Sequence, residues 1–171
     1  GIEASLTGHL VFSTLHTNSS VETVIRLLDM GLDPFNFADA LLAVLAQRLV
    51  RRICDKCKES YHPGQDEYDE IARAYGKEEF EKLVKYDDGF VLYRGKGCAN
   101  CNNSGYRGRA GIHELLIATE EMKRLIQTKA RVTDMLVAAK SEGMTTLVQD
   151  GILKALSGVS DFRQVKAVAI K

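Results

Sequence analysis

The chain has 171 residues, enough for one domain with a sizeable core or for a domain joined to a small module. Lysine and arginine together number 23, and so do aspartate and glutamate, so the formal net charge is zero. This balance excludes a general electrostatic attraction to nucleic acid or to an anionic membrane. Hydrophobic residues make up 45% and charged residues 27%, which excludes a disordered chain and is typical of a globular one.

The first third of the chain predicts alternating helix and strand. Residues 2–6 predict a helix end, and the run 9–15 is apolar at its centre, which predicts a strand buried on both faces as in a parallel α/β sheet. The polar stretch 16–20 would then lie at the carboxyl end of that strand, where ligands bind in open α/β sheets. We expect the next helix to have Ser20 as its N-cap and to stop at Gly31.

A longer helix is predicted from Pro34 to the region of residues 47–52, because apolar residues recur at spacings of three and four. These residues are Ala38, Leu41, Leu42, Leu45 and Leu49. The basic end at 47–52 would complement the helix dipole. Two short helices at 66–74 and 78–84 and a strand at 90–94 are expected to follow.

The last part of the chain predicts a loop, a strand and several helices. Residues 102–111 contain three glycines and two arginines, which predicts a loop, and 112–117 alternate enough for a strand. Helices are expected at 122–126, 132–139, 147–156 and after Asp161.

The chain contains four cysteines, arranged as two C-x-x-C pairs: Cys54 with Cys57, and Cys98 with Cys101. This spacing lets two thiolates reach one metal ion from a tight turn, and a structural zinc takes four such ligands. We therefore expect one structural Zn²⁺ bound by all four, which suits a reducing compartment. Disulfides or a reactive thiol pair are the alternatives.

Apart from the cysteines, the densest group of functional residue types lies at 7–18, with two histidines among hydroxyl and amide side chains. Histidine can donate to phosphate oxygens or polarise a water near neutral pH. By chemistry alone, His9 and His16 also fit the interpretation of one packed and one surface histidine.

A resemblance to a known family bears on these two interpretations of the histidines. Residues 7–18, T-G-H-L-V-F-S-T-L-H-T-N, resemble the histidine box of the type II/type IV secretion ATPases. Three further segments resemble family segments in the same order: 26–31 (RLLDMG), 46–51 (AQRLVR) and 105–112 (GYRGRAGI). The two cysteine pairs lie between the second and the third of these segments. Residues 146–152 resemble the family's carboxyl-terminal helical region. The chain is most similar to the type II secretion and type IV pilus-assembly branch, since the retraction branch lacks the tetracysteine module.

The resemblance implies an α/β fold: the C-terminal part of a RecA-like P-loop ATPase core with an inserted tetracysteine zinc-binding subdomain and a C-terminal helical region. It implies a partial core at 1–53, the metal-binding subdomain at 54–104, and a return strand with helices at 105–171. The parent would be a hexameric ATPase that uses ATP and Mg²⁺. It would work with an inner-membrane platform to assemble pilins or pseudopilins, in the cytoplasm at the bacterial inner membrane.

The resemblance also implies roles for individual residues. His9 and His16 would sense the γ-phosphate, and His16 is favoured because it follows the predicted strand. Thr14, Arg26 and Arg109 would contact the nucleotide, although Arg26 also fits an ordinary surface charge. The four cysteines match the family's metal ligands one for one.

Two features of an ATPase are not found in the printed sequence. It contains no G-x-x-x-x-G-K-[ST] phosphate-binding motif and no acidic strand end suited to a Walker B metal partner. It begins with Gly1 and not with methionine, so we expect a piece of a longer protein that does not hydrolyse ATP alone. The alternatives are a zinc-dependent nucleic-acid-binding or docking module and a thiol redox protein, and the zero net charge counts against nucleic acid.

Overall fold

A computed structural model describes residues 1–170 and divides them into two compact units. The first unit is Gly1–Ala46 with Glu114–Thr146, and the second is Gln47–His113 with the chain from Leu147 onwards. The helices are α1 Ile2–Leu6, α2 Ser20–Asp29, α3 Pro34–Ala40, α4 Gln65–Tyr75, α5 Lys77–Leu83, α6 Glu120–Gln127, α7 Val132–Ser141, α8 Leu147–Leu156 and α9 Phe162–Ala169. The strands are β1 Ala43–Ile53, β2 Lys58–Tyr61, β3 Leu92–Gly95 and β4 Tyr106–Ile117. The predicted three-part division stays a prediction.

The strands form two small sheets. β1 pairs with β4, and β2 pairs antiparallel with β3, with Glu59 opposite Arg94. Within residues 1–170, the helices are all too short or too polar to cross a membrane. Together, the helices and strands make the chain a mixed α/β protein, as its sequence predicts.

Most of the predicted helices are confirmed. The two short helices between the cysteine pairs are α4 and α5, and the four C-terminal ones are α6 to α9. The strand predicted at 90–94 is confirmed as β3, shifted slightly along the chain. Helix α2 ends at Asp29, two residues before the predicted stop at Gly31, which has a φ of +91°. Its N-cap is Ser19 and not Ser20, because the Ser19 side chain accepts from the Glu22 N–H.

The buried strand predicted at 9–15 is wrong. These residues form no helix or strand, and Leu10 is 70% and Phe12 88% exposed. A strand needs a neighbour whose N–H and C=O groups pair with its own, and none of the strands in the described part of the chain provides one. The apolar run predicted burial, but nothing in its own residues supplies the partner.

The long helix predicted to continue past residue 40 is also wrong. Helix α3 ends at Ala40, and β1 begins three residues later and includes the basic stretch 47–52. Less exposed and more exposed side chains alternate along the first half of β1, as expected for a strand. The apolar residues happened to satisfy helical spacing, but pairing with β4 decides the conformation.

The loop predicted at 102–111 is only partly correct. Residues 102–105 form a turn, whereas β4 already begins at Tyr106 and continues through two glycines. Gly108 has a φ of +79°, a conformation that glycine adopts without strain, so a glycine inside this strand does not break it.

The core of the first unit is built from α2, α3, α6, α7 and the end of β4. Its fully buried side chains include Val24, Ala38, Met122, Ile126 and Met135. Side-chain oxygens cap three of these helices: Ser19 caps α2, Asp33 caps α3 and Thr119 caps α6.

The core of the second unit is aromatic and lies between α4, α5, α8, α9 and β3. Tyr68 lies at its centre, with ring centroids 5.3 Å from both Phe80 and Phe90. The Tyr68 hydroxyl donates to the Val84 carbonyl at 2.6 Å, so its polar atom remains paired.

Helices α8 and α9 pack closely at Gly151. A Cβ at this position would lie 2.6 Å from Cγ1 and 2.9 Å from Cγ2 of Val165, whose side chain is fully buried. Alanine favours a helix over glycine by about 1 kcal/mol, but overpacking costs about 1–3 kcal/mol. The difference between these two effects means that Gly151→Ala should lower the free energy of unfolding in urea by up to about 2 kcal/mol. In a double-mutant cycle, Val165→Ala should offset part of that loss, and purely additive effects would contradict this packing.

Candidate metal centre

The four cysteine side chains converge on one point. Their Sγ atoms all lie within 4.8 Å of one another. The separations are 3.9 Å for Cys54–Cys98, 3.9 Å for Cys57–Cys101 and 3.8 Å for Cys98–Cys101. A tetrahedral zinc site with Zn–S bonds of about 2.3 Å has S–S edges of about 3.8 Å, whereas a disulfide requires about 2.05 Å. The thiol set therefore fits a tetrahedral metal ion, and the four cysteines are free of disulfides.

Each pair of cysteines sits on a tight turn. The Cys57 N–H donates to the Cys54 carbonyl at 3.2 Å, and the Cys101 N–H donates to the Cys98 carbonyl at 3.2 Å. The second turn is a short 3-10 helix, Ala99–Cys101, and Asn102 after it has a left-handed φ of +51°. These turns point both thiols of each pair to the same side.

Two glycines bring the turns together. A Cβ at Gly95 would lie 2.1 Å from the Gly105 carbonyl oxygen, and a Cβ at Gly105 would lie 2.6 Å from the Gly95 oxygen. Gly105 also has a φ of +79°, and its carbonyl accepts from the Cys54 N–H at 2.9 Å. A larger residue at either position would force the two backbones apart and separate the cysteine pairs.

Hydrogen-bond donors surround the sulfur atoms. Burial acts to raise the pKa of Cys101, but the N–H groups of Cys98 and Gly105, each 3.3 Å from its Sγ, outweigh burial and hold that pKa at about 6. The Asn100 amide lowers the pKa of Cys54, whereas burial raises the pKa of Cys57 to about 12. Because a metal binds thiolates and displaces their protons, we expect its affinity to fall as the pH falls.

The predicted nucleotide-contacting residues of the first unit lie on exposed backbone before and on α2. His9 is exposed, and its Nδ1 lies 3.2 Å from the Ala4 carbonyl oxygen. His16 and Thr14 are exposed, and Arg26 donates to the His16 carbonyl at 2.7 Å. The structure thus brings His16 and Arg26 together through the backbone. The nucleotide roles of all four stay predictions.

The polar stretch before α2 is held by the first turns of that helix. The Asn18 N–H donates to the Glu22 carboxylate at 3.1 Å, and the hydroxyls of Thr17 and Thr23 lie 2.5 Å apart. Together with the Arg26 contact, these bonds fix the backbone on which the His16 imidazole is carried.

Arg109, predicted to contact the nucleotide, belongs to the second unit. It is exposed on β4, one residue beyond Gly108. No hydrogen bond or ion pair of its side chain is found within the part of the chain that the structure describes. Its predicted role stays a prediction.

Sequence reasoning missed a buried carboxylate in the first unit. Glu114, 4% exposed on β4, accepts from the N–H of Ser20 at 2.9 Å and from its hydroxyl at 2.5 Å. Ser20 is fully buried at the first position of α2, where a negative charge also interacts favourably with the helix dipole. In the sequence, Glu114 is a single carboxylate placed directly before the apolar residues 115–117, and nothing there indicates Ser20 as its partner.

A mixed α/β chain whose four cysteines could hold one metal ion is typical of proteins with a structural metal site, and sequence comparison identifies the family. Residues 1–167 match the family described as Type II/IV secretion system protein, and the chain belongs to this family. This confirms the resemblance noted above.

The relatives include proteins of type IV pilus assembly and of type II secretion. The chain is 43% identical over 169 residues to the type IV pilus assembly ATPase PilB of Thermus thermophilus, covering 99% of this chain and 18% of the relative. It is 42% identical to the type II secretion system ATPase E of Vibrio cholerae and 40% identical to the type II secretion system protein E of Pseudomonas aeruginosa. In both cases the match covers 98% of this chain and 31% of the relative. The chain therefore spans less than a third of the length of these relatives.

Proposed function

We propose that this chain is the C-terminal portion of a motor ATPase that couples ATP hydrolysis to the assembly of pilins or pseudopilins at the bacterial inner membrane. The family match over residues 1–167 carries this proposal, since relatives in that family are named as ATPases of type IV pilus assembly and type II secretion. The motor would be a hexameric ring in the cytoplasm that acts on an inner-membrane platform. The activity belongs to the longer protein, which would bind ATP and Mg²⁺.

The first unit would supply part of a RecA-like core. Catalysis of phosphoryl transfer is mostly positioning and electrostatic stabilisation, so residues that sense the γ-phosphate need a fixed backbone. The bonds from Asn18 to Glu22 and from Arg26 to the His16 carbonyl supply that fixation. His16 would respond to the γ-phosphate together with His9, and Thr14, Arg26 and Arg109 would contact the nucleotide.

The second unit would carry a structural zinc. Four free thiols at separations of 3.8 and 3.9 Å support this choice, since zinc prefers a closed tetrahedron of sulfur ligands. When bound, the ion supplies a four-way crosslink between the two cysteine turns. The chain's own contribution is to orient the thiols on these turns, and the resulting module would stabilise the unit or dock a partner of the secretion machine.

ATP turnover tests this proposal. The purified 171-residue chain should show no ATP hydrolysis above buffer, because its sequence contains no phosphate-binding P-loop motif. The full-length protein that carries the chain should hydrolyse ATP with Mg²⁺, and His16→Ala in it should lower kcat by about 100-fold, the lower end of the range for a lost polar catalytic group.

The matched control is His113→Ala in the same full-length protein. His113 is an exposed histidine on β4 without a predicted nucleotide role, so its replacement should leave kcat within about twofold of the parent. Metal-dependent ATP turnover by the isolated chain would contradict the proposal that ATP hydrolysis requires the longer protein. Equal effects of the two histidine replacements would contradict the role of His16.

A further inference from the structure

We propose that Asn100 and Arg107 form an outer shell of the metal centre, in which Arg107 orients the Asn100 amide so that it donates to the Cys54 sulfur. This inference rests on the proposed metal site. The proposal gives different roles to two arginines that lie two positions apart in the sequence. Arg107 orients a side chain at the metal centre, and Arg109 does not.

The contacts form a short relay. The Asn100 Nδ2 atom lies 3.5 Å from Cys54 Sγ. The Arg107 guanidinium donates through one nitrogen to the Asn100 side-chain oxygen and, at 3.2 Å, to the Asn100 backbone carbonyl. Both ends of Asn100 are thereby held by a side chain that reaches back from β4.

The chemistry of the partners sets the direction of the amide. An asparagine side chain can present either its oxygen or its NH₂ group, and guanidinium is a donor only. Arg107 therefore binds the oxygen and leaves the NH₂ group directed at sulfur. Without Arg107, the amide could rotate and place its oxygen lone pairs against a thiolate, which is unfavourable.

The charge of the metal centre makes these donors important. Four thiolates and one divalent ion carry a net charge of −2, and hydrogen bonds to charged acceptors are stronger than neutral ones. Cys101 receives two backbone N–H groups, whereas the amide donor to Cys54 comes from the Asn100 side chain. Outer-shell partners of this kind orient the ligands and commonly contribute about 10–100-fold to metal affinity.

Zn²⁺ affinity measured by competition with a chromophoric chelator tests the relay, using the whole 171-residue chain. Asn100→Ala should weaken binding by about 10-fold, and Arg107→Ala should weaken it by a smaller factor. The double variant should bind no more weakly than Asn100→Ala, because Arg107 acts through Asn100. Arg109→Ala, the matched loss of a positive charge two residues away, should leave the affinity unchanged.

Each outcome decides the inference. If the parent chain binds no zinc, the proposed metal centre itself fails. If the parent binds zinc but Asn100→Ala or Arg107→Ala behaves like Arg109→Ala, only the relay fails. Additive losses in the double variant would also overturn it, because they would make Arg107 an independent charge.

A spectroscopic readout covers the case in which an alanine variant folds poorly. Asn100→Asp keeps an oxygen for Arg107 but removes the N–H donor to Cys54. In the Co²⁺-loaded protein, the thiolate-to-cobalt absorption bands of Asn100→Asp should shift relative to the parent, whereas those of Arg109→Ala should not. Identical bands in all three proteins would contradict the relay.

Discussion

Replacement of Cys101 by serine should abolish stoichiometric zinc binding and unfold the two cysteine turns, residues 54–57 and 98–101, of the second unit. Cys101 is buried, lies 3.8 Å from the Cys98 sulfur and accepts two backbone N–H groups. A serine hydroxyl is a poor zinc ligand, and its shorter side chain reaches less far towards the other three thiols. We expect the affinity to fall by more than about 100-fold, beyond the range for outer-shell changes.

This loss should appear as unfolding because metal binding and folding are coupled. Structural zinc sites contribute about 10 kcal/mol or more of apparent binding free energy at pH 7 in small domains. The Cys101→Ser protein should resemble the chelated parent in thermal unfolding monitored by circular dichroism. Lys56→Ala is the control, since Lys56 is exposed between two ligands and its replacement removes no ligand. Unchanged zinc content in Cys101→Ser would contradict the four-cysteine site.

Replacement of Glu114 by alanine should destabilise the first unit by about 2–3 kcal/mol. The Ser20 N–H and hydroxyl both donate to this carboxylate in a buried site and would lose their acceptor. Hydrogen bonds to charged groups contribute about 1.5–3 kcal/mol each, but removing a buried charge also removes its desolvation cost. The expected value therefore lies below the sum of the two bonds.

The matched control is Glu120→Ala. The Glu120 side chain is 97% exposed and lies 3.8 Å from Lys123, so its removal should change the free energy of unfolding by less than about 0.5 kcal/mol. Urea unfolding of both variants measures the difference. Glu114→Gln keeps the shape of the side chain and should fall between the parent and Glu114→Ala. Equal stabilities of Glu114→Ala and Glu120→Ala would show that the buried bonds contribute nothing net.

The convergence of the four cysteines could be predicted from the sequence because the information for it is local. Two C-x-x-C pairs specify four thiols on two tight turns, and the structure brings all four within 4.8 Å of one another. Helices such as α6 and α8 could also be predicted, because their apolar residues recur at helical spacing and no distant segment pairs with them as a strand. In these segments local preference and tertiary packing agree.

The errors fall where pairing between distant segments decides the conformation. The segment 43–53 has helical spacing, yet it becomes β1 because β4 lies beside it. The segment 9–15 has the composition of a buried strand, yet no strand of the described residues pairs with it. No local pattern contains this information.

Sequence reasoning also missed the contacts that complete the sites. Glu114 is separated from Ser20 by 94 positions, and the Gly95–Gly105 approach depends on the register between β2 and β3 and on the turn after Cys101. Of the two arginines in the predicted 102–111 loop, the family resemblance assigns a role to Arg109 and gives none to Arg107. Only the structure shows that Arg107 binds Asn100.

Metal content is the most direct test of the central claim that this chain carries the tetracysteine centre of a secretion ATPase. The measurement is elemental analysis of protein purified without added metal, combined with thiol titration before and after chelation. We expect about one zinc per chain and four thiols that become reactive only when the metal is removed. Absence of zinc, with the cysteines oxidised in pairs under mild conditions, would contradict it and favour the redox alternative.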